Sequence, residues 1–101
     1  MLNIEKNLEN GALYIALEGE LDTLSAPGFE AELEPLLKEA ASVTVDLEKL
    51  EYISSAGLRV LLAAEQTMEE TGAEKIRAVN MNDTIRNIFE ITGFEFVLSL
   101  D

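Results

Sequence analysis

The stretch Tyr52-Ile53-Ser54-Ser55-Ala56-Gly57-Leu58-Arg59 lies at a change of hydrophobic pattern. A strand-like alternating run at 43–47 precedes it, and an apolar run at 58–64 follows it directly. Two adjacent serines therefore lie where a strand gives way to a helix. A serine oxygen can accept from the unpaired N–H groups of a first helical turn, and the same groups suit a phosphate. The pair therefore acts either as a helix cap or as a phosphate-accepting site.

Length and composition predict one domain with a true hydrophobic core. The chain has 101 residues, of which 48% are hydrophobic, and a domain of this size buries roughly two-thirds of its unfolded surface. No apolar run could span a bilayer, the N-terminus lacks a signal-peptide layout, and cysteine is absent. We therefore expect a cytoplasmic protein without membrane insertion.

The residues that the chain lacks exclude several kinds of chemistry. Without histidine or cysteine there is no Ser-His-Asp triad, thiolate nucleophile, histidine-ligated metal or ordinary structural zinc. Phosphate-binding loops of the P-loop and GxGxxG types are also missing. Carboxylate pairs remain possible, because acidic residues are abundant. We expect no catalytic residue, no metal, no cofactor and no enzymatic activity.

The charge balance is strongly acidic, with seven basic and twenty acidic residues and a net charge of −13. The basic residues are scattered along the chain, whereas nucleic-acid binders cluster them. We therefore expect no direct nucleic-acid partner. The acidic runs predict solvated helix faces or, alternatively, a surface for a basic partner. These runs comprise Glu30, Glu32, Glu34, Glu65, Glu69, Glu70 and Glu74.

The first half of the chain predicts a hairpin and a helix. Two alternating runs, at 2–8 and 13–17, flank Asn10-Gly11, a strong hairpin signal. Thr23 or Ser25 then offers a helix cap. Pro35 falls within the predicted helix, where it predicts a bend near residues 31–35 or a helix that restarts at the proline.

The second half alternates strands and helices. A buried strand at 43–47 leads to a helix from Ala56 or Gly57 to Thr71, and a short strand follows at 75–79. Asn80 or Asn82 caps a third helix, which Gly93 ends. The tail at 94–100 is a last strand or a packed turn. The fold class is thus α/β: a mixed, mostly parallel sheet of four to five strands with an N-terminal β-hairpin, packed by three to four helices.

Parallel strands end at one side of their sheet, so the strand-to-helix junctions at 20–25, 51–57 and 80–84 should meet there. In open α/β sheets this is the side where ligands and partners bind. Each polar residue of the junctions is also an ordinary cap or turn residue, so capping alone remains the alternative. The residues gathered are Asp22, Thr23, Ser54, Ser55, Asn80 and Asp83.

The segment at 52–58 resembles the hallmark of STAS domains, the family of bacterial anti-sigma factor antagonists and of the cytoplasmic tails of sulfate transporters. Gly19-Glu20-Leu21-Asp22 is similar to the other recurring segment of that family. Element order and length match as well, so the resemblance implies one STAS domain over residues 1–101. It points to the free-standing antagonist class.

The resemblance also implies a site. In the family, an anti-sigma factor that is also a serine kinase phosphorylates the serine two positions before the glycine, which is Ser55 here. Ser54 replaces an aspartate found in many members, which leaves Ser54 open as a second acceptor. Asp22 matches an acidic residue that contacts the partner or organises the serine loop. Arg59 either clamps the phosphate or pairs with neighbouring carboxylates. The full predicted partner-binding set is Asp22, Thr23, Ser54, Ser55, Gly57, Leu58, Arg59, Asn80 and Asp83.

The predicted function is an anti-sigma factor antagonist that binds its partner through an unmodified Ser55 and a neighbouring apolar group, Leu58, and is released by phosphorylation. One alternative, a scaffold or sensor subunit of a larger STAS assembly, uses the same surface for stacking, and another is an accessory subunit of a lipid transporter. A nucleotide-binding domain or an enzyme is a third class. We expect a monomer or a weak dimer.

Overall fold

The computed structural model describes residues 1–101 without a gap, and its first feature is the predicted hairpin. Strand β1 (Leu2–Glu9) pairs antiparallel with β2 (Ala12–Leu21). Between them Asn10 and Gly11 have φ angles of 52° and 82°, the left-handed conformation that a tight two-residue turn requires. The hairpin prediction is confirmed.

The remaining elements form βα units. They are α1 (Ala26–Leu37), β3 (Ser42–Ile53), α2 (Ser55–Glu70), β4 (Arg77–Val79), α3 (Asp83–Thr92), a 3₁₀ turn (Phe94–Phe96) and β5 (Ser99–Leu100). The strands lie in the order β1-β2-β3-β4-β5, and β2 to β5 are parallel. The predicted α/β class is confirmed. The tail, left open between a strand and a turn, forms both.

The helices cover one face of the sheet. Every crossover steps in the same direction along the sheet, and right-handed crossovers then place all the helices on the same side. Leu13 and Ile15 of β2 lie in register with Val43 and Val45 of β3, and all four are buried toward the helices. The alternate residues, such as Tyr14 and Arg77, are exposed on the open face. The core therefore occupies the single layer between sheet and helices.

Strands β3 and β4 and helix α2 have bounds other than those predicted, and β4, expected at 75–79, covers only Arg77–Val79. Strand β3 extends to Ile53, because Leu50 and Ile53 continue its buried side past irregularities in the β2–β3 register. Helix α2 begins at Ser55 and ends at Glu70, with Gly72 at φ 78° just beyond. Helix α1 continues through Pro35 without restarting, because the missing N–H removes a single backbone hydrogen bond and only Leu36 and Leu37 follow the proline in the helix.

Glu65 corrects the expectation that all the acidic runs are solvated. Glu65 is only 6% exposed, and its carboxylate oxygen Oε1 accepts a hydrogen bond of 2.8 Å from the Ile76 N–H. Ile76 is buried immediately before β4, where its backbone donor needs a partner. Glu65 therefore joins α2 to the start of the next strand, whereas the other acidic residues named with it are exposed.

Candidate partner-binding site

The structure brings the three strand-to-helix junctions together at one end of the sheet. The Ser54 N–H at the end of β3 donates to the Leu21 carbonyl at the end of β2, at 2.9 Å. The Asn82 side-chain Nδ2, just before α3, donates to the Leu50 carbonyl of β3 at 3.0 Å. Direct hydrogen bonds therefore connect the β2–α1 junction to the β3–α2 junction, and the β4–α3 junction to strand β3.

The two adjacent serines have different surroundings. Ser54 is the N-cap residue of α2, with φ −98° and ψ 176°, yet its side chain makes no capping hydrogen bond. Its Oγ is buried and has no hydrogen-bond partner. Ser55 is the first helical residue and is exposed. Of the two hydroxyl groups, only that of Ser55 belongs to an exposed residue that a second protein can reach.

Gly57 and Leu58, which were predicted to contact a partner, are both buried in the free chain. A Cβ on Gly57 would lie 2.6 Å from the Leu21 Cγ and 2.9 Å from both the Leu21 carbonyl oxygen and the Ile53 Cγ1. Leu58 is only 8% exposed and belongs to the hydrophobic core. Both residues hold α2 against the strands and support the surface from beneath.

Arg59 is exposed and forms no ion pair, so the interpretation that it pairs with nearby carboxylates is wrong. The ion pairs of the chain are Met1–Glu20, Lys6–Glu32 and Arg77–Asp101. Arg59 lies four residues after Ser55 on the same helix, and side chains at that spacing are neighbours on one helical face. Its guanidinium group is free to meet an anion there.

Asp22 organises the turn between β2 and α1. Its Oδ1 accepts from the N–H groups of Leu24 and Ser25, each at 3.0 Å. The Ser25 Oγ accepts from the Asp22 N–H at 2.9 Å and donates to the Glu20 carbonyl at 2.8 Å. Ser25 occupies the N-cap position of α1 but makes no side-chain cap bond. The hydrogen bond from the Ser25 N–H, joined by that from Leu24, holds the pKa of Asp22 below its ordinary value despite an opposing effect of burial.

The start of α3 resolves the choice between two asparagine caps. The Asn82 Oδ1 accepts from the Ile85 N–H at 2.9 Å, so Asn82 is the cap. Asn80 instead has a left-handed φ of 60° and is exposed. Asp83 and, in the first junction, Thr23 are also exposed.

Asp46 of strand β3 accepts two hydrogen bonds that affect its pKa. Burial raises the pKa of Asp46, but the hydrogen bonds from the Tyr14 hydroxyl and the Glu48 N–H outweigh burial and leave that pKa below its usual value.

Two exposed apolar side chains at this end were not predicted. Leu24 is 91% exposed in the Asp22–Ser25 turn, and Tyr52 is 49% exposed at the end of β3. Leu24 does not fit the helical spacing of the apolar residues Phe29, Leu33 and Leu37. This mismatch was the only feature of the sequence that could have indicated its exposure. Together with Ser55 and Thr23, these residues give the end of the sheet a mixed apolar and hydroxyl surface.

In open α/β sheets ligands and partners bind at the carboxyl ends of the parallel strands, and this end of the sheet carries the exposed Ser55. A family model described as "Mlab, STAS domain" matches residues 4–99. The chain therefore belongs to the STAS domain family. No helix in it combines the length and the apolar character that crossing a membrane would need.

Sequence and structure comparisons agree with this assignment. The chain is 36% identical to the putative anti-sigma factor antagonist BtrV of Bordetella bronchiseptica over 84% of this chain and 73% of BtrV. An anti-sigma factor antagonist from Mycobacterium paratuberculosis has the same fold, with a TM-score of 0.87 at 20% identity over 99% of this chain and 85% of that one.

The fold is also shared with SpoIIAA, an anti-sigma factor antagonist of known structure in two states. Its unphosphorylated form matches with a TM-score of 0.78 at 18% identity, over 100% of this chain and 87% of SpoIIAA. The phosphorylated form of SpoIIAA matches with a TM-score of 0.76 at the same identity, over 100% and 91%.

Proposed function

We propose that this protein is an anti-sigma factor antagonist: a protein-binding switch that captures an anti-sigma factor while Ser55 is unmodified and releases it when Ser55 is phosphorylated. The observation that carries the proposal is the exposed Ser55 at the first position of α2. The names of its relatives support the same function. In this proposal the chain regulates transcription without catalysing a reaction, and the kinase activity belongs to the partner.

Within the free protein, a phosphate on Ser55 has favourable surroundings. Helix α2 is 16 residues long, and its side chains provide no cap for its first N–H groups. Those groups and the positive end of the helix dipole stabilise an anion at this position. Arg59 lies one turn further along and has no competing ion pair. Phosphorylation should therefore leave the fold intact, in keeping with the similar fits of the two SpoIIAA forms.

At an interface the same phosphate is unfavourable. It adds about −1.5 to −2 charges to the site of a chain that already carries −13. Burying the phosphate against a partner surface shaped for a hydroxyl requires desolvation without a matching cation, which costs several kcal/mol. Because each 1.4 kcal/mol changes affinity about tenfold, we expect binding to weaken by roughly two to three orders of magnitude.

The modification itself is tested by incubating the protein with ATP and each purified anti-sigma factor kinase of the source organism. Intact mass should rise by about 80 Da, the mass of one phosphoryl group, and peptide mapping should place it on Ser55. The Ser55→Ala variant should not be modified. Ser54→Ala is the matched control and should be modified like wild type, because the buried Ser54 Oγ is out of reach. Modification that persists in Ser55→Ala would overturn the assignment.

A further inference from the structure

Leu24 is an apolar side chain that the fold itself does not use. It is 91% exposed, lies in the turn between β2 and α1, and is outside the hydrophobic core. Thr23 beside it is exposed too, so no part of the chain shields this leucine from water. A leucine in this position contributes little to folding, but it offers apolar area to a second protein.

The backbone that carries Leu24 is nevertheless fixed. The Leu24 N–H donates to the Asp22 Oδ1 at 3.0 Å, and the Ser25 N–H donates to the same oxygen. The Ala26 N–H donates to the Asp22 carbonyl at 2.8 Å. Because these bonds order the turn before any partner arrives, little backbone entropy remains to be lost on binding. An exposed leucine on an ordered turn can therefore bury apolar area against a partner at a low entropic cost.

Leu24 also lies close enough to Ser55 for one partner to contact both. The Ser54 N–H bonds to the Leu21 carbonyl at 2.9 Å, which links the two segments three residues before Leu24 and one before Ser55. The reach of the chain then keeps the two Cα atoms within about 20 Å. An interface of standard size covers about 800 Å² on each partner, a patch roughly 30 Å across.

We propose that Leu24 is the apolar anchor through which the partner recognises the Ser55 surface, which rests on the function proposed above. The partner then carries a leucine-sized apolar pocket beside the region that receives the Ser55 hydroxyl. Leu24 contributes to the affinity when Ser55 is unmodified. Phosphorylation of Ser55 prevents the two surfaces from coming into contact. A partner that lacks such a pocket is discriminated against even when Ser55 is unmodified.

The test is a calorimetric titration of each purified anti-sigma factor kinase of the source organism with five proteins: wild type, Leu24→Ser, Leu24→Met, Ile91→Ser and Ser55→Asp. Leu24→Ser should bind about 10- to 100-fold more weakly than wild type, as expected for the loss of one buried leucine. Leu24→Met keeps the apolar volume and should stay within a few-fold of wild type. Ile91 is 76% exposed near the C-terminal end of α3, so Ile91→Ser is the matched control and should bind like wild type.

The outcomes separate this inference from the proposed function. If Ser55→Asp loses binding while Leu24→Ser binds like wild type, the anchor is wrong and the switch stands. Equal losses in Leu24→Ser and Ile91→Ser also overturn the anchor, because position then does not matter. If wild type binds none of the kinases, or binds as tightly as Ser55→Asp, the proposed function itself fails. Thermal unfolding of each variant checks that none has lost its fold.

Discussion

Adjacent residues in this chain have opposite environments, and Ser54 and Ser55 show this most directly. The backbone turns at Ser54 from β3 into α2, so that its Oγ is buried without a hydrogen-bond partner while Ser55 is exposed. Sequence alone predicted a pair of serines at a helix start but could not rank them by exposure. The orientation depends on how the helix docks, which is set by Gly57 and Leu58.

At the scale of one residue, Gly57→Ala should destabilise the protein. The new Cβ would approach the Leu21 carbonyl oxygen to 2.9 Å, and this oxygen is already held by the Ser54 N–H. Overpacking of this kind should lower the free energy of unfolding by about 1–3 kcal/mol. Chemical denaturation measures this change. Gly28→Ala in α1 is the matched control, because nothing lies within 4 Å of its Cβ position. Its free energy of unfolding should rise by about 0.5–1 kcal/mol. Equal stabilities of the two variants would contradict this packing.

Asp22 gives a prediction about pH. Its folded pKa is lowered, chiefly by the Ser25 N–H, so its contribution to stability is complete above the unfolded pKa of about 3.9 and is lost as pH falls through the folded value. Asp22→Asn retains an oxygen acceptor but has no charge to titrate. Melting temperatures measured from about pH 6 down to pH 2 should fall less steeply for Asp22→Asn than for wild type. Parallel curves would show that Asp22 does not contribute in this way.

At the scale of elements, helices α2 and α3 differ in how their first turns are capped. Asn82 caps α3 and also bonds to the Leu50 carbonyl, whereas α2 has no side-chain cap. The hairpin turn and the Gly93 end of α3 were predictable because each depends on local backbone chemistry, whereas the α3 cap could be narrowed only to Asn80 or Asn82. The length of β3 and the burial of Glu65 were not predictable, because both depend on neighbouring elements: the register with β2 and the N–H before β4.

The two helix starts predict opposite responses to alanine. Asn82→Ala removes a cap bond and the bond to Leu50, so the free energy of unfolding should fall by about 1–3 kcal/mol. Ser54→Ala removes a buried hydroxyl that has no partner, so stability should be unchanged or rise by up to about 1 kcal/mol. Chemical denaturation of both variants measures the difference. An equal loss in Ser54→Ala would mean that its hydroxyl does cap α2.

At the scale of the whole molecule, successive strands are always added on the same side of the sheet, so that right-handed crossovers place every helix on one face. The other face of the sheet has no helices. Parallel sheets are usually covered on both faces. Here the open face is polar, with Glu5 and Glu18 exposed beside Tyr14, which bonds to Asp46 at 2.5 Å. The composition predicted the acidic surface, and the alternating pattern predicted which strand residues are buried. The end of the sheet proposed as the site could be predicted from topology, whereas the exposure of Leu24 could be seen only from the structure of the turn.

In the function proposed above, one phosphate on Ser55 changes the binding of the partner without changing the fold. The most direct measurement is the affinity of a purified anti-sigma factor kinase for this protein with Ser55 unmodified and with Ser55 stoichiometrically phosphorylated, by calorimetry at one ionic strength. We predict tight binding of the unmodified protein and a loss of roughly 100- to 1,000-fold on phosphorylation, with the same circular dichroism spectrum for both forms. Equal affinities for the two forms would contradict the account.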